Sequence, residues 1–195
     1  LSCGLKEMGL NTADKVVVCG DNRPHLYFAM TAVQAAGGIP VPVYQDSVAE
    51  EMEYIYDHAE ARFSIVENQE QVDKVLEIKD RIPALEHVIY KDPRGLRNYR
   101  QDFLHNYADI QERGREYDER DPDFYSNSVA SQTGNDTSIM LYTSGTTGRP
   151  KGVMLSYSNM ISAGRNCSEL EGLNKNDNML AYLPMAWIGD NIFSH

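Results

Sequence analysis

Short apolar, β-branched runs alternate with amphipathic stretches of helical period along the first half of this chain, and that alternation limits the possible folds most strongly. "KVVVCG" (Lys15 to Gly20) reads as a buried strand ending at glycine. "RPHLYFAMTAVQAAGG" reads as a helix, with Pro24 suited to its first turn and Gly37-Gly38 closing it. "IPVPVY" must be extended, because its two prolines forbid helix and confine it to a sheet edge or an irregular strand. "SVAEEMEYIYDHAEA" begins with Ser47 as the expected N-cap and places its acids early, where a helix dipole favours them. "RFSIVE" and "HVIY" are further strands, separated by the helix "NQEQVDKVLEIKDRI", which Asn68 caps. Strands that alternate with helices in this way build βαβ units, so the expected class is α/β, with mostly parallel sheets flanked by helices.

Between about Lys91 and Gln132 the pattern breaks into a stretch dense in charge and tyrosine. Helices over Tyr99 to Gly114 and Asp121 to Val129 are expected there, on a solvated face with no assigned chemistry. The first residues, "LSCGLKEMGL", lack a basic n-region and a sustained apolar stretch; they read as a helix end closing at Gly9, not a signal peptide. Both termini read as cut from a longer chain.

Composition narrows the function classes. The chain has 195 residues, 42% hydrophobic and 24% charged, enough for one soluble domain or part of a larger one. No apolar run approaches the roughly 18 residues of a membrane span, and nothing forms an evident anchor, although peripheral membrane contact stays open. A net charge of −11 argues against nucleic acid, whose phosphates demand a basic face. A nucleotide needs only one local positive site. Cys3, Cys19 and Cys167 form no CxxC pair and fit no zinc spacing, so reduced thiols in a cytoplasmic protein are expected.

The chemistry concentrates in "YTSGTTGRPKGV", Tyr142 to Val153. A strand over Ser138 to Thr143 leads into it and a second, Gly152 to Leu155, leads out, followed by a helix that Ser156 or Ser158 can cap. Gly145, Gly148 and Gly152 remove side chains, so backbone N–H groups can approach oxygen atoms and form an anion nest. Thr143, Ser144, Thr146 and Thr147 add hydroxyls, any one of which could also ligate Mg²⁺. Lys151 supplies a compact charge suited to phosphate, and Pro150 fixes the backbone before it. Arg149 could assist or point into solvent. A single G-x-x-G would read more simply as a turn; the whole run argues for phosphate. It is not the P-loop of NTPases, because Pro150 precedes the lysine and Gly152 stands where that motif needs Ser or Thr.

"YTSGTTGRPKGV" resembles the phosphate-binding signature of the adenylate-forming (AMP-binding) superfamily, which includes acyl-CoA synthetases and nonribosomal peptide adenylation domains. "DKVVVCGDNRPHLYFAMTAVQAAGGIPVPVY" is similar to an early segment of that family, and "LAYLPMAWIGDNIFSH" to its segment beginning "LP". The resemblance covers nearly the whole chain, loosely from Lys91 to Gln132. It implies an incomplete N-terminal part of the large domain over residues 1–195, with the C-terminal domain absent.

The resemblance further implies an ATP-dependent acyl-CoA ligase: a carboxylate is activated as an acyl-adenylate with release of pyrophosphate, then transferred to coenzyme A. Thr143, Ser144, Gly145, Thr146, Thr147, Gly148, Lys151 and Gly152 would bind the ATP phosphates, with Mg²⁺ on one loop hydroxyl. Trp187, three positions after "LP", would line the acyl pocket or stand as an ordinary core or pocket-wall tryptophan; Asp190 and His195 read as structural. The tyrosine-rich insertion and the "LP" segment resemble long-chain fatty-acyl synthetases more than amino-acid adenylation domains. No catalytic residue is assigned within these 195 residues, and the isolated chain is expected to be inactive. The alternatives are a non-catalytic nucleotide-binding module, an adenylating enzyme for an aryl or amino acid, and a structural domain in which the loop is a turn.

Overall fold

The computed structural model describes residues 1–143 and 148–193. Five parallel strands form the main sheet: β1 (Lys15–Cys19), β2 (Ile39–Val43), β3 (Phe63–Val66), β4 (His87–Tyr90) and β5 (Leu104–Asn106). Their order is β2-β1-β3-β4-β5. The chain therefore first winds outward from β1 to β2, then crosses back and winds the other way. In open parallel sheets such a reversal leaves a crevice outside the carboxyl ends of the strands.

Helices cover both faces, as strands buried on two sides require. Against one face lie α3 (Ala49–His58) and α4 (Gln69–Ile78), which contribute Met52, Ile55, Tyr56, Val72, Val75 and Ile78 beside Val17 and Val41. Against the other lie α1 (Ser2–Glu7), α2 (Pro24–Ala35) and α5 (Tyr107–Arg120), where Leu5, Leu26, Met30, Val33 and Ile110 meet Val16, Val18 and Ile65. Odd and even residues of β1 thus serve opposite cores. Helix α1 crosses α5 at Gly4, where a Cβ would fall 2.1 Å from the backbone oxygen of Ile110.

The prolines of β2 decide where the sheet ends. Ile39 donates its N–H to Asp14 at 2.8 Å, toward β1. Because N–H direction alternates along a strand, Pro40 and Pro42 occupy the positions facing away from β1, where no donor exists to extend the ladder. A separate antiparallel ribbon, β6 (Thr137–Thr143) and β7 (Lys151–Ser156), packs beside that edge instead of joining it. Helices α6 (Phe124–Ala130), α7 (Tyr157–Glu171) and α8 (Ile188–Phe193) and a 3₁₀ turn at Lys79–Arg81 complete the described elements.

The expected elements recur with adjustments. Asn68 caps α4 by accepting from the Gln71 N–H, and Ser156, rather than Ser158, caps α7 through a reciprocal box with Asn159. At α3 the N-cap is Val48 with no side-chain cap, not Ser47. The helix expected from Tyr99 to Gly114 instead starts at Tyr107, capped by Asn106 and preceded by β5. Three half-buried residues, Leu104 to Asn106, show little alternation in sequence, and their pairing to β4 makes them a strand. The helix expected over Asp121 to Val129 forms at Phe124–Ala130.

Candidate phosphate site and adjoining cleft

The β6–β7 ribbon sets the termini of the glycine-rich loop opposite each other. Thr143 pairs directly with Lys151, and Tyr142 with Gly152. Directly opposed residues of an antiparallel pair share one face of the ribbon, so the side chains of Thr143 and Lys151 leave the same face at the mouth of the loop, both exposed. Gly148 has φ +147 and open space where a Cβ would stand. Gly152 has a packing reason of its own: its Cβ would meet Met140 Cε at 2.1 Å and the Tyr142 ring at 3.3 Å. Ser144, Gly145, Thr146 and Thr147 lie outside the described residues, as does His195.

Helix α3 supports the base of this ribbon. The Tyr54 hydroxyl donates to the Pro150 carbonyl at 2.9 Å, and the Arg149 guanidinium lies 5.4 Å over the Tyr54 ring. Arg149 therefore rests on an aromatic face. Burial pushes the Tyr142 phenol up to about 12, so it stays a neutral hydrogen-bonding group beside His58.

A cavity of about 510 Å³ opens at the carboxyl ends of β1 and β2, bounded by Asp21, Arg23, Tyr44, Asp46, Tyr182 and Trp187 among others. Trp187, 49% exposed, is part of that wall and not a core tryptophan. The segment bearing it is tied down at three points. Asn22 donates to the carbonyls of Ala181 and Leu183, Asn191 donates to those of Met185 and Trp187, and the Tyr27 hydroxyl donates to Asp190. Asp190 is 1% exposed, which fits the structural role expected for it; burial first, then this carboxylate, pushes the Tyr27 phenol far up. Gly20 permits the turn into the cleft: its φ is +155, and a Cβ there would meet Glu67 Cβ at 2.5 Å and Leu26 at 2.7 Å. Glu67 in turn accepts from the Asp21 N–H at 2.6 Å and pairs with Arg23.

A second cavity, about 710 Å³, adjoins the first and is bounded by Tyr54, Tyr142, Arg149, Pro150 and Ala186. Val43 and Tyr44 border both cavities. The end of β2 thus brings the Trp187 cleft next to the base of the Lys151 ribbon, two features that stand 36 positions apart by residue number. Tyr54, Asn22, Tyr27 and Glu67 were not singled out from sequence. Of these, only Tyr54 showed any pattern, a one-turn spacing from His58 on a helix, which says nothing until its partner on the ribbon is known.

Among the described residues no group of three or more His, Cys, Asp or Glu could hold a metal ion, and no helix is long and apolar enough to cross a membrane. All three cysteines are free; Cys19 is buried, donates toward Gln71 and has its thiol pushed up to about 12 by burial.

The AMP-binding enzyme family matches residues 1–193. A long-chain-fatty-acid–CoA ligase, ACSBG2 of Xenopus laevis, is 32% identical over 190 residues, which cover 95% of this chain and 25% of that protein. The chain thus spans about a quarter of the length of the curated relatives it matches. Among solved structures, acetoacetyl-CoA synthetase from Streptomyces lividans superposes with a TM-score of 0.73 at 18% identity, over 99% of this chain and 30% of that one. The long-chain-fatty-acid-CoA ligase FadD1 from Archaeoglobus fulgidus gives 0.72 at 19%, over 98% and 34%. At these identities the superpositions establish the fold alone.

Proposed function

The chain belongs to the AMP-binding enzyme family, and from that premise we propose that the longer protein carrying it is an ATP-dependent long-chain fatty-acid–CoA ligase. The carboxylate oxygen attacks the α-phosphorus of ATP, pyrophosphate leaves, and the acyl-adenylate forms. The thiol of coenzyme A then attacks the acyl carbon, releasing AMP and leaving the thioester. The names of the curated relatives favour a long-chain fatty acid over aryl and amino acids.

Within this chain the assigned task is electrostatic. Lys151 neutralises charge on the β- and γ-phosphates as pyrophosphate departs, with Thr143 donating beside it and the glycines giving backbone N–H groups access. Ser144, Thr146 and Thr147 extend the set of hydroxyls. The single observation that carries this reading is the cross-strand pairing of Thr143 with Lys151 at the mouth of the loop. A Mg²⁺ ion, when bound, neutralises phosphate charge. Without a carboxylate cluster among the described residues, this chain offers it at most a loop hydroxyl such as Thr143.

Trp187 is assigned to the wall of the acyl pocket, since it flanks the cleft that meets the ribbon base at Val43 and Tyr44. Its small-molecule partners in this reading are ATP, a fatty acid and coenzyme A, and the proposed location is cytoplasmic, in keeping with three free cysteines. Thioester formation by the complete protein, assayed with a panel of fatty, aryl and amino acids, tests the proposal. Fatty acids should be consumed with one AMP formed per thioester; activity confined to amino acids, or none with any acid, would overturn it.

A further inference from the structure

Two side chains of α3, one helical turn apart, reach the two legs of the β6–β7 ribbon separately. On the outgoing leg, Tyr54 donates its hydroxyl proton to the Pro150 carbonyl at 2.9 Å while its ring lies beneath Arg149. On the incoming leg, His58 Nδ1 and the Tyr142 hydroxyl share a hydrogen bond of 2.7 Å, their rings meeting edge to face at 5.7 Å. Tyr54 also stands edge-on to Tyr142, 6.4 Å between centroids. Pro150 immediately precedes Lys151, and Tyr142 immediately precedes Thr143. Each leg is therefore fastened to the same helix one residue before its candidate phosphate-binding side chain. The helix is itself rigidly placed, because Met52, Ile55 and Tyr56 are buried in the core.

We propose that Tyr54 and His58 are positioning residues for a nucleoside triphosphate: without touching it, they set where Lys151 and Thr143 stand when the polyphosphate arrives. The backbone pairing of β6 with β7 fixes the register of the two legs, and buried Ile139, Met140 and Leu141 seat β6 beside the edge of β2; neither sets the ends of the legs, Pro150 and Tyr142, relative to the helix. The contacts from α3 do so. The proposal rests on the reading of Lys151 as a phosphate ligand.

The test uses the complete protein with ATP and a fatty acid as substrates. Tyr54→Phe keeps the ring under Arg149 and removes only the donor; His58→Ala removes the other fastening; His58→Asn restores a hydrogen-bonding amide close to the place of Nδ1. Losing one such hydrogen bond should raise the KM for ATP roughly five- to tenfold. The KM for the fatty acid should stay unchanged, amides over 148–153 should exchange faster without nucleotide, and His58→Asn should recover most of the loss. Unchanged KM for ATP and unchanged exchange in both Tyr54→Phe and His58→Ala would overturn the proposal, as would equal rises in KM for ATP and for the acid. Lys151→Ala separates the two readings. If it leaves the KM for ATP unchanged, the phosphate-ligand reading falls and this proposal falls with it. If it raises that KM while the α3 variants do not, this proposal falls alone.

Discussion

Asn22 donates from Nδ2 to the carbonyl of Leu183 at 2.7 Å, joining residues 161 positions apart. Through this bond and its weaker companion to Ala181 at 3.3 Å, the turn after β1 holds the segment that carries Trp187 over the strand ends. Replacing Asn22 by Ala should cost about 1–2 kcal/mol in urea unfolding, and amide exchange over 180–184 should rise before that of the sheet. Equal protection of that segment in both proteins would show that the bond does not hold it.

The crossing of α1 with α5 leaves no room at Gly4. A Cβ there would meet backbone, the Ile110 oxygen at 2.1 Å, and backbone cannot turn aside as a flexible side chain can. Gly4→Ala should therefore destabilise the protein by about 2–3 kcal/mol despite the better helix propensity of alanine. A stabilised variant would contradict the close crossing.

His87 and His105 face each other with ring nitrogens 3.1 Å apart. Burial, then the neighbouring His87 and Arg113, holds His105 down to about 4, and burial also lowers His87. Unfolded histidine takes its proton near pH 6.5, so between about 6.5 and 4 the unfolded chain binds more protons than the folded one. Stability from this pair is complete above that range and falls as the pH drops through it. The melting temperature should decline from pH 7 toward pH 4.5, and His105→Gln should make the decline shallower; an identical slope in the variant would refute the assignment.

Cys19 and Cys167 should differ in alkylation. Cys19 is fully buried, with its thiol pushed up to about 12, whereas Cys167 on α7 is half-buried. Iodoacetamide at pH 8 should modify Cys167 in the native protein and leave Cys19 until unfolding. Rapid labelling of Cys19 would mean that β1 is more open than its burial implies.

Much of the sheet was legible because its determinants are local. β-branched runs, an N-capping Asn68 and glycines after helices act within a few residues of their own position, and the prolines of "IPVPVY" correctly announced an edge. The errors fall where partners are distant. β5 owes its strand to pairing with β4, not to an alternating pattern, and α5 begins at Asn106 because that side chain caps it. At the candidate site the two flanking strands were legible from sequence, and the pairing of Thr143 with Lys151 shows that they meet. Its support from α3 was not. Tyr54 and His58 lie about 90 positions before the ribbon they touch, and a one-turn spacing of two aromatic rings becomes informative only once the partner is known. Trp187 was placed in a pocket by resemblance; its wall is completed by Asn22 and Tyr44, which only the folded chain brings near.

The assignment of Lys151 to the polyphosphate is tested most directly by acid-dependent exchange of labelled pyrophosphate into ATP, measured on the complete protein with and without Lys151→Ala while ATP is varied. The side chain is exposed, so the variant should fold normally. Loss of one charged contact should raise the KM for ATP about ten- to a hundredfold, with the KM for the fatty acid unaffected. Exchange with the same ATP dependence in both proteins would contradict the account.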